Sequence, residues 1–153
     1  VIKPPSLQSE RSLIYSGDPA LSLPEDPAER QRLLELARET GRWQDLIAEG
    51  QQPTTFDVKP LTGSEFDYWC GEVRRRNLID QEAAALAVRL AIRKVGNLGE
   101  YQVGKREKHG DFWMAGTAII DAIYAAAGNE GRAVILELGA CIVERAQESP
   151  SPK

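Results

Sequence analysis

At 153 residues with 42% hydrophobic content, the chain is long enough for one folded unit with a single core. Its formal net charge of -4 argues against a protein whose main partner is a phosphate backbone. Cys70 and Cys141 lie far apart in apolar surroundings, which excludes a disulfide framework or a CxxC metal site and points to a reducing compartment.

Residues 1–27 contain Pro4, Pro5, Pro19, Pro24 and Pro27 with Ser and Gly between them. Proline removes amide donors and breaks a helical period, so an extended N-terminal arm is predicted. The arm carries Leu7, Leu13, Ile14, Tyr15, Leu21 and Leu23, more apolar side chains than a solvated linker needs. They are candidate interaction residues, expected to lie on a neighbouring surface.

Over residues 28–53 a short helical segment and linker are predicted. Asp26 serves as N-cap, Pro27 takes the first helical position, and Glu29 is placed to close a capping box. The helix runs to about Thr40, with Gly41 beyond it, and Leu33, Leu34, Leu36 and Ala37 give it an apolar stripe. Trp43, Leu46 and Ile47 predict a further short turn before the loop that ends in Pro53.

Residues 54–147 read as a helical module. Thr54–Lys59 is a strand on its β-favouring Thr55, Phe56 and Val58. Thr62 and Glu65 then fit a capping box, and Leu61 with Phe66 a hydrophobic staple. The helix that follows, about Gly63–Arg76, shows Phe66, Trp69, Cys70 and Val73 on one face and ends in Arg74-Arg75-Arg76, cations that favour a helix C-terminus. A second helix, capped by Asp80, keeps helical apolar spacing from Ala83 through Val95 to Gly96. Residues 97–110 form a polar connection, with Tyr101-Gln102-Val103 a candidate short strand and Lys105–His109 a charged turn. Asp111 caps a third helix carrying Phe112, Trp113, Ile119, Ile120, Ile123 and Tyr124, and Gly128 ends it. A fourth, about Glu130–Gln147, uses Val134, Leu138, Cys141 and Ile142. The fold class is therefore mainly α: a four-helix module with a short strand, preceded by a proline-containing arm and one or two helices. Residues 148–153 are tail composition.

Candidate chemistry is sparse. His109 is the single histidine and sits in a charged, glycine-flanked loop, where a metal or catalytic role needs partners from distant helices. Cys70 and Cys141 read as small hydrophobes. The loops Gly96–Gly99 and Gly128–Gly131 neither follow a predicted strand nor supply a Lys-Ser/Thr pair, so they are helix ends rather than phosphate cradles. Acidic pairs such as Glu65 with Asp67 fall at caps and solvated faces. No catalytic, cofactor-binding or metal-binding residue is assigned, and the expectation is a protein that is not an enzyme. Arg74, Arg75 and Arg76, with Arg89, Arg93, Lys94 and the Lys105–His109 loop, form the basic concentration, beside which Tyr101 offers a stacking ring. A solvated helix end is the favoured reading of it, and nucleic acid the secondary one. The aromatic set Phe66, Trp69, Phe112, Trp113 and Tyr124 is read as core, any member left exposed being an interface anchor.

The run Phe56-Asp57-Val58-Lys59-Pro60-Leu61-Thr62-Gly63-Ser64-Glu65-Phe66, a short strand leading into a capped helix and then alanine-rich helices, resembles small morphogenesis proteins of tailed bacteriophages. It is most similar to tail-assembly chaperones, over residues 54–147. The resemblance implies a helical protein that binds other phage structural proteins, has no cofactor and catalyses nothing. An arm longer than such a chaperone needs shifts the expectation to a virion component of capsid, connector or tail that forms a homo-oligomer or lattice. The chaperone is the first alternative, and a small DNA-binding regulator using the basic helix end the second. No apolar run approaches the roughly 18 residues of a membrane span, and residues 1–10 lack a signal-peptide layout. The expected location is the virion, or the host cytoplasm during assembly.

Overall fold

The computed structural model describes residues 10–148. Among these the fold is mainly α, with five α-helices and five short strands. The first strand, β1, is Arg11–Leu13, inside the segment whose prolines predict an extended arm. It pairs antiparallel with β2, Thr55–Val58, in the register Arg11↔Val58, Ser12↔Asp57 and Leu13↔Phe56. The Ser12 hydroxyl donates to Asp57 Oδ1 at 2.5 Å across that register. Strand β2 in turn pairs antiparallel with β3, Ile92–Gly96, giving the order β1-β2-β3. Asp57 pairs with Lys94 and Val58 with Ile92, so Arg93 is the extra residue of a β-bulge.

Proline spacing thus misreads this segment. Leu13 is 5% exposed and packs with Phe56 and Val58 in the main core. Ile14, 2% exposed, belongs to a second cluster with Leu34, Ala37, Trp43 and Leu46. Leu21 and Leu23 pack against that second cluster, and Tyr15 is half-buried against the first. The chain is further held by Trp43 Nε1, which donates to the Ser12 carbonyl at 2.7 Å, and by an isolated bridge between Leu21 and Ile47. Prolines break helices, but they leave the intervening residues free to pair as an edge strand.

Helix α1, Pro27–Thr40, starts and stops where its caps dictate. The Asp26 side chain accepts from the Glu29 amide at 3.1 Å, and Gly41 closes the helix at φ 75°. The Glu29 carboxylate turns outward to Arg32 instead of completing the box. Helix α2, Gly63–Arg75, does have both halves of its capping box. Thr62 Oγ1 accepts from the Glu65 amide at 3.1 Å, and Glu65 Oε1 accepts from the Thr62 amide at 2.9 Å. Thr62→Ala is expected to lower the unfolding free energy by about 1 kcal/mol, read as a fall in the urea midpoint at constant slope. An unchanged midpoint would mean that the helix start is held by packing alone.

Helix α3 is Asp80–Ala91. Ile79, and not Asp80, is its N-cap residue, and the chain leaves the helix at Ile92 instead of continuing to Gly96. The cause is tertiary. Arg106 takes the carbonyls of Leu90 and Ile92 at 3.0 and 2.8 Å, and the Lys59 amide takes that of Ala91 at 3.0 Å. With these acceptors occupied from outside, no further helical turn is needed to satisfy them.

The predicted third helix is replaced by two elements. A hairpin comes first, β4 Glu107–His109 and β5 Phe112–Met114, joined at Gly110-Asp111 with Gly110 at φ 62°. Helix α4, Ala118–Ala127, begins only after it. The predicted strand at Tyr101–Val103 is irregular chain, and Lys105–His109 contributes to β4 rather than to a turn.

Helix α5, Gly131–Glu148, packs across α3 through Gly139, where an added Cβ would stand 2.6 Å from the Ala84 Cβ and 2.7 Å from its Cα. Only a glycine admits so close a backbone approach. On the same helix Glu137 accepts from the Ser16 amide at 2.7 Å, from its hydroxyl at 2.5 Å, and pairs with Arg38 at 3.4 Å. One carboxylate thereby fastens both the N-terminal segment and α1 to α5. Among the described residues no helix is long and apolar enough to cross a membrane.

Candidate functional site

The hairpin β4-β5 carries exposed residues beside aromatic side chains. Strand alternation divides its two faces. Met114 is buried and Phe112 half-buried, the latter in tilted ring contact with Tyr68 of α2, centroids 4.6 Å apart. Trp113 points the other way and is 53% exposed. Its cross-strand partner is Lys108, whose Nζ lies 6.0 Å from the indole centroid, within cation–π reach. All of Glu107, Lys108 and His109 are exposed, and His109 Nε2 sits 3.2 Å from Glu107 Oε1.

The body of the protein holds this hairpin at both ends. Arg89 donates to the Ala115 carbonyl at 2.8 Å and lies 3.7 Å from Glu107, while the Ala115 amide donates back to the Arg89 carbonyl at 2.9 Å. Arg106 reaches the Trp113 carbonyl at 3.0 Å. Burial, together with the nearby Arg93 charge, holds the Arg106 guanidinium below its ordinary value. A rigid base under an exposed tryptophan and a cation is a geometry suited to docking, because little ordering remains to be done on contact.

The basic stretch divides accordingly. Arg89 and Arg106 work within the fold. Arg75 and Arg76 share Glu72, at 2.8 and 3.9 Å, and Arg74 is exposed beside them. Tyr101, the expected stacking ring, is half-buried against the main core, and burial raises its pKa. Arg93, Lys94, Lys105 and Lys108 are exposed. Of the candidate interaction residues in the N-terminal segment, Leu7 lies outside the described residues, and Leu13 and Ile14 are interior. Tyr15, Leu21 and Leu23 are packed as given above. Burial, then the Glu130 and Glu137 charges, raises the Tyr15 pKa.

Trp113 was hidden from sequence reading by the apolar residues that follow it, which extend a helical period backwards. The signal that finds it is the pair of alternating triplets flanking Gly110-Asp111. Cys70 and Cys141 are free and half-buried, and burial raises the Cys141 thiol. Among the described residues no group of three His, Cys, Asp or Glu side chains is placed to hold a metal ion. Comparison with protein-family models, curated proteins and solved structures finds no match.

Proposed function

We propose that this protein is a non-enzymatic structural protein of a tailed-bacteriophage virion, acting through protein–protein contacts with other phage structural proteins or with further copies of itself. The phage assignment stands on the resemblance at residues 56–66. The contact assignment stands on one observation: Trp113, more than half exposed on a firmly anchored hairpin with Lys108 beside it. Tryptophan is among the residue types that dominate interface energetics. Contacts are therefore assigned to the hairpin, and the N-terminal segment contributes them only through residues outside the buried set.

A tail-assembly chaperone is the second reading, favoured by a specific feature. The described part of the N-terminal segment is held by its own module, through Trp43, Glu137 and β2, so no neighbour in a finished particle is required to fix it. The DNA-regulator reading has less support, because Arg89 and Arg106 are committed to backbone carbonyls and Arg75 and Arg76 to Glu72.

Mass spectrometry of purified particles separates the first two readings. Stoichiometric copies identify a virion component, whereas absence from particles whose assembly still requires the protein identifies a chaperone. Trp113→Ala is expected to leave the unfolding free energy within about 0.5 kcal/mol and to weaken partner binding by about 2 kcal/mol or more. Normal particle yield from phage carrying this variant would remove the hairpin as the docking element.

A further inference from the structure

Leu36 on α1 is 49% exposed. A single apolar side chain on a surface is ordinary, so its meaning depends on what surrounds it. Glu35 precedes it and Glu39 lies one turn on, both exposed. The cations of the same helix near them are already engaged, Arg32 with Glu29 and Arg38 with Glu137. Residues 25–49 carry seven carboxylates against four arginines. Around Trp113 the balance is reversed. Residues 93–113 carry five lysines and arginines against three carboxylates, and of those carboxylates Glu107 faces Arg89. Arg93, Lys94, Lys105 and Lys108 are exposed. Arg106 joins them into one region, because its guanidinium bonds both the Ile92 carbonyl, next to Arg93, and the Trp113 carbonyl.

These two regions lie at opposite edges of the sheet β1-β2-β3. Helix α1 is at the β1 edge, where Ile14 packs with Leu34 and Ala37. The hairpin is at the β3 edge, where Arg106 holds it to Ile92. An exposed leucine beside carboxylates and an exposed tryptophan beside cations are complementary in charge, but within one chain the sheet keeps them apart. They can meet only between copies. A contact between unlike faces leaves one face unused at each end, so it extends to further copies instead of closing as a symmetric dimer. Ile79, 62% exposed, is a poorer match for the hairpin, since it follows Arg74-Arg75-Arg76 and would set basic against basic.

We propose that copies of this chain associate head to tail, with Trp113 and the cations beside it on one copy docking on Leu36, Glu35 and Glu39 of the next. The inference rests on the reading of the hairpin as a docking element and names its partner as a second copy.

Sedimentation velocity of the full-length chain, from about 1 μM to about 1 mM, tests this. The average mass is expected to rise with concentration beyond that of a dimer. Association should weaken by about tenfold or more between roughly 50 and 500 mM salt. Trp113→Ala and Leu36→Asp should each weaken it by about tenfold or more, with melting recorded on the same samples. Mixed in equal amounts, the two variants should form a one-to-one dimer that grows no further, because each keeps the face the other lacks. Undiminished association of Leu36→Asp, a mixture that stays monomeric, or insensitivity to salt would overturn the proposal. So would an unaltered chain that remains monomeric throughout. In that last case a loss of particle yield with Trp113→Ala would keep the hairpin as a docking element for a different protein, so the two failures are told apart. The concentration and salt series use the unaltered chain and do not depend on a variant folding.

Discussion

Ile14→Ala is expected to lower the unfolding free energy by roughly 2–5 kcal/mol, and the double change Leu13→Ala/Ile14→Ala by more than either alone. The two residues are neighbours in sequence but serve different clusters. Leu13 points into the core shared with Phe56, Val58 and Ile142, and Ile14 into the one formed by Leu34, Ala37, Trp43 and Leu46. Leu13 is the last residue of β1 and Ile14 the first beyond it, and the two successive side chains seal separate apolar groups. Truncation at either position leaves a cavity whose surroundings collapse only in part, so the loss exceeds the transfer term. Leu36→Ala supplies the control, because Leu36 on α1 is 49% exposed and should change stability by no more than about 0.5 kcal/mol. Urea denaturation of the three variants decides the matter. Equal, small losses at all three positions would place residues 11–14 on the surface, as an extended arm lying on a neighbour requires.

The second large effect belongs to Arg106. Its guanidinium donates to the carbonyls of Leu90, Ile92 and Trp113 at 3.0, 2.8 and 3.0 Å, joining the end of α3, the start of β3 and the hairpin. Hydrogen bonds from a charged donor contribute about 1.5–3 kcal/mol each in favourable settings. Partial exposure of the site reduces that here. Arg106→Ala is expected to lower the unfolding free energy by about 3 kcal/mol and to raise amide exchange across β4-β5 above that of the α3-α5 core. Arg106→Lys should recover little of this, since an ammonium on a flexible stem does not reproduce a planar fork aimed at separate acceptors. If Arg106→Lys behaves as the unaltered protein, the charge rather than the fork is what the site uses. A loss confined to the hairpin would also weaken docking through Trp113, which ties this prediction to the proposed contact.

Local chemistry was enough to write out several elements from sequence. Asp26-Pro27 and Gly41 bound α1, Thr62 and Glu65 start α2, and Thr55–Val58 forms a strand, because each depends on side chains within a few residues of the backbone groups they satisfy. The mainly α character follows from the same apolar periodicity. The charged run at 74–76 also sits at the end of α2, where the helix dipole favours cations.

What only the tertiary structure decided has a common cause. Strand β1 exists because β2 and Trp43 offer partners more than 30 residues away, and no local rule weighs those partners against five prolines. The switch from α3 to β3 at Ile92 depends on Arg106 and Lys59 arriving to accept the duties of the next helical turn. Trp113 is exposed because the chain reverses at Gly110-Asp111, which turns an apparent helical stripe into two faces of a hairpin. Caps and periodicities are set by neighbours in the chain, and so could be read there. Burial of a proline-rich segment and the end of a continuous apolar helix are set by neighbours in space, which sequence spacing does not encode.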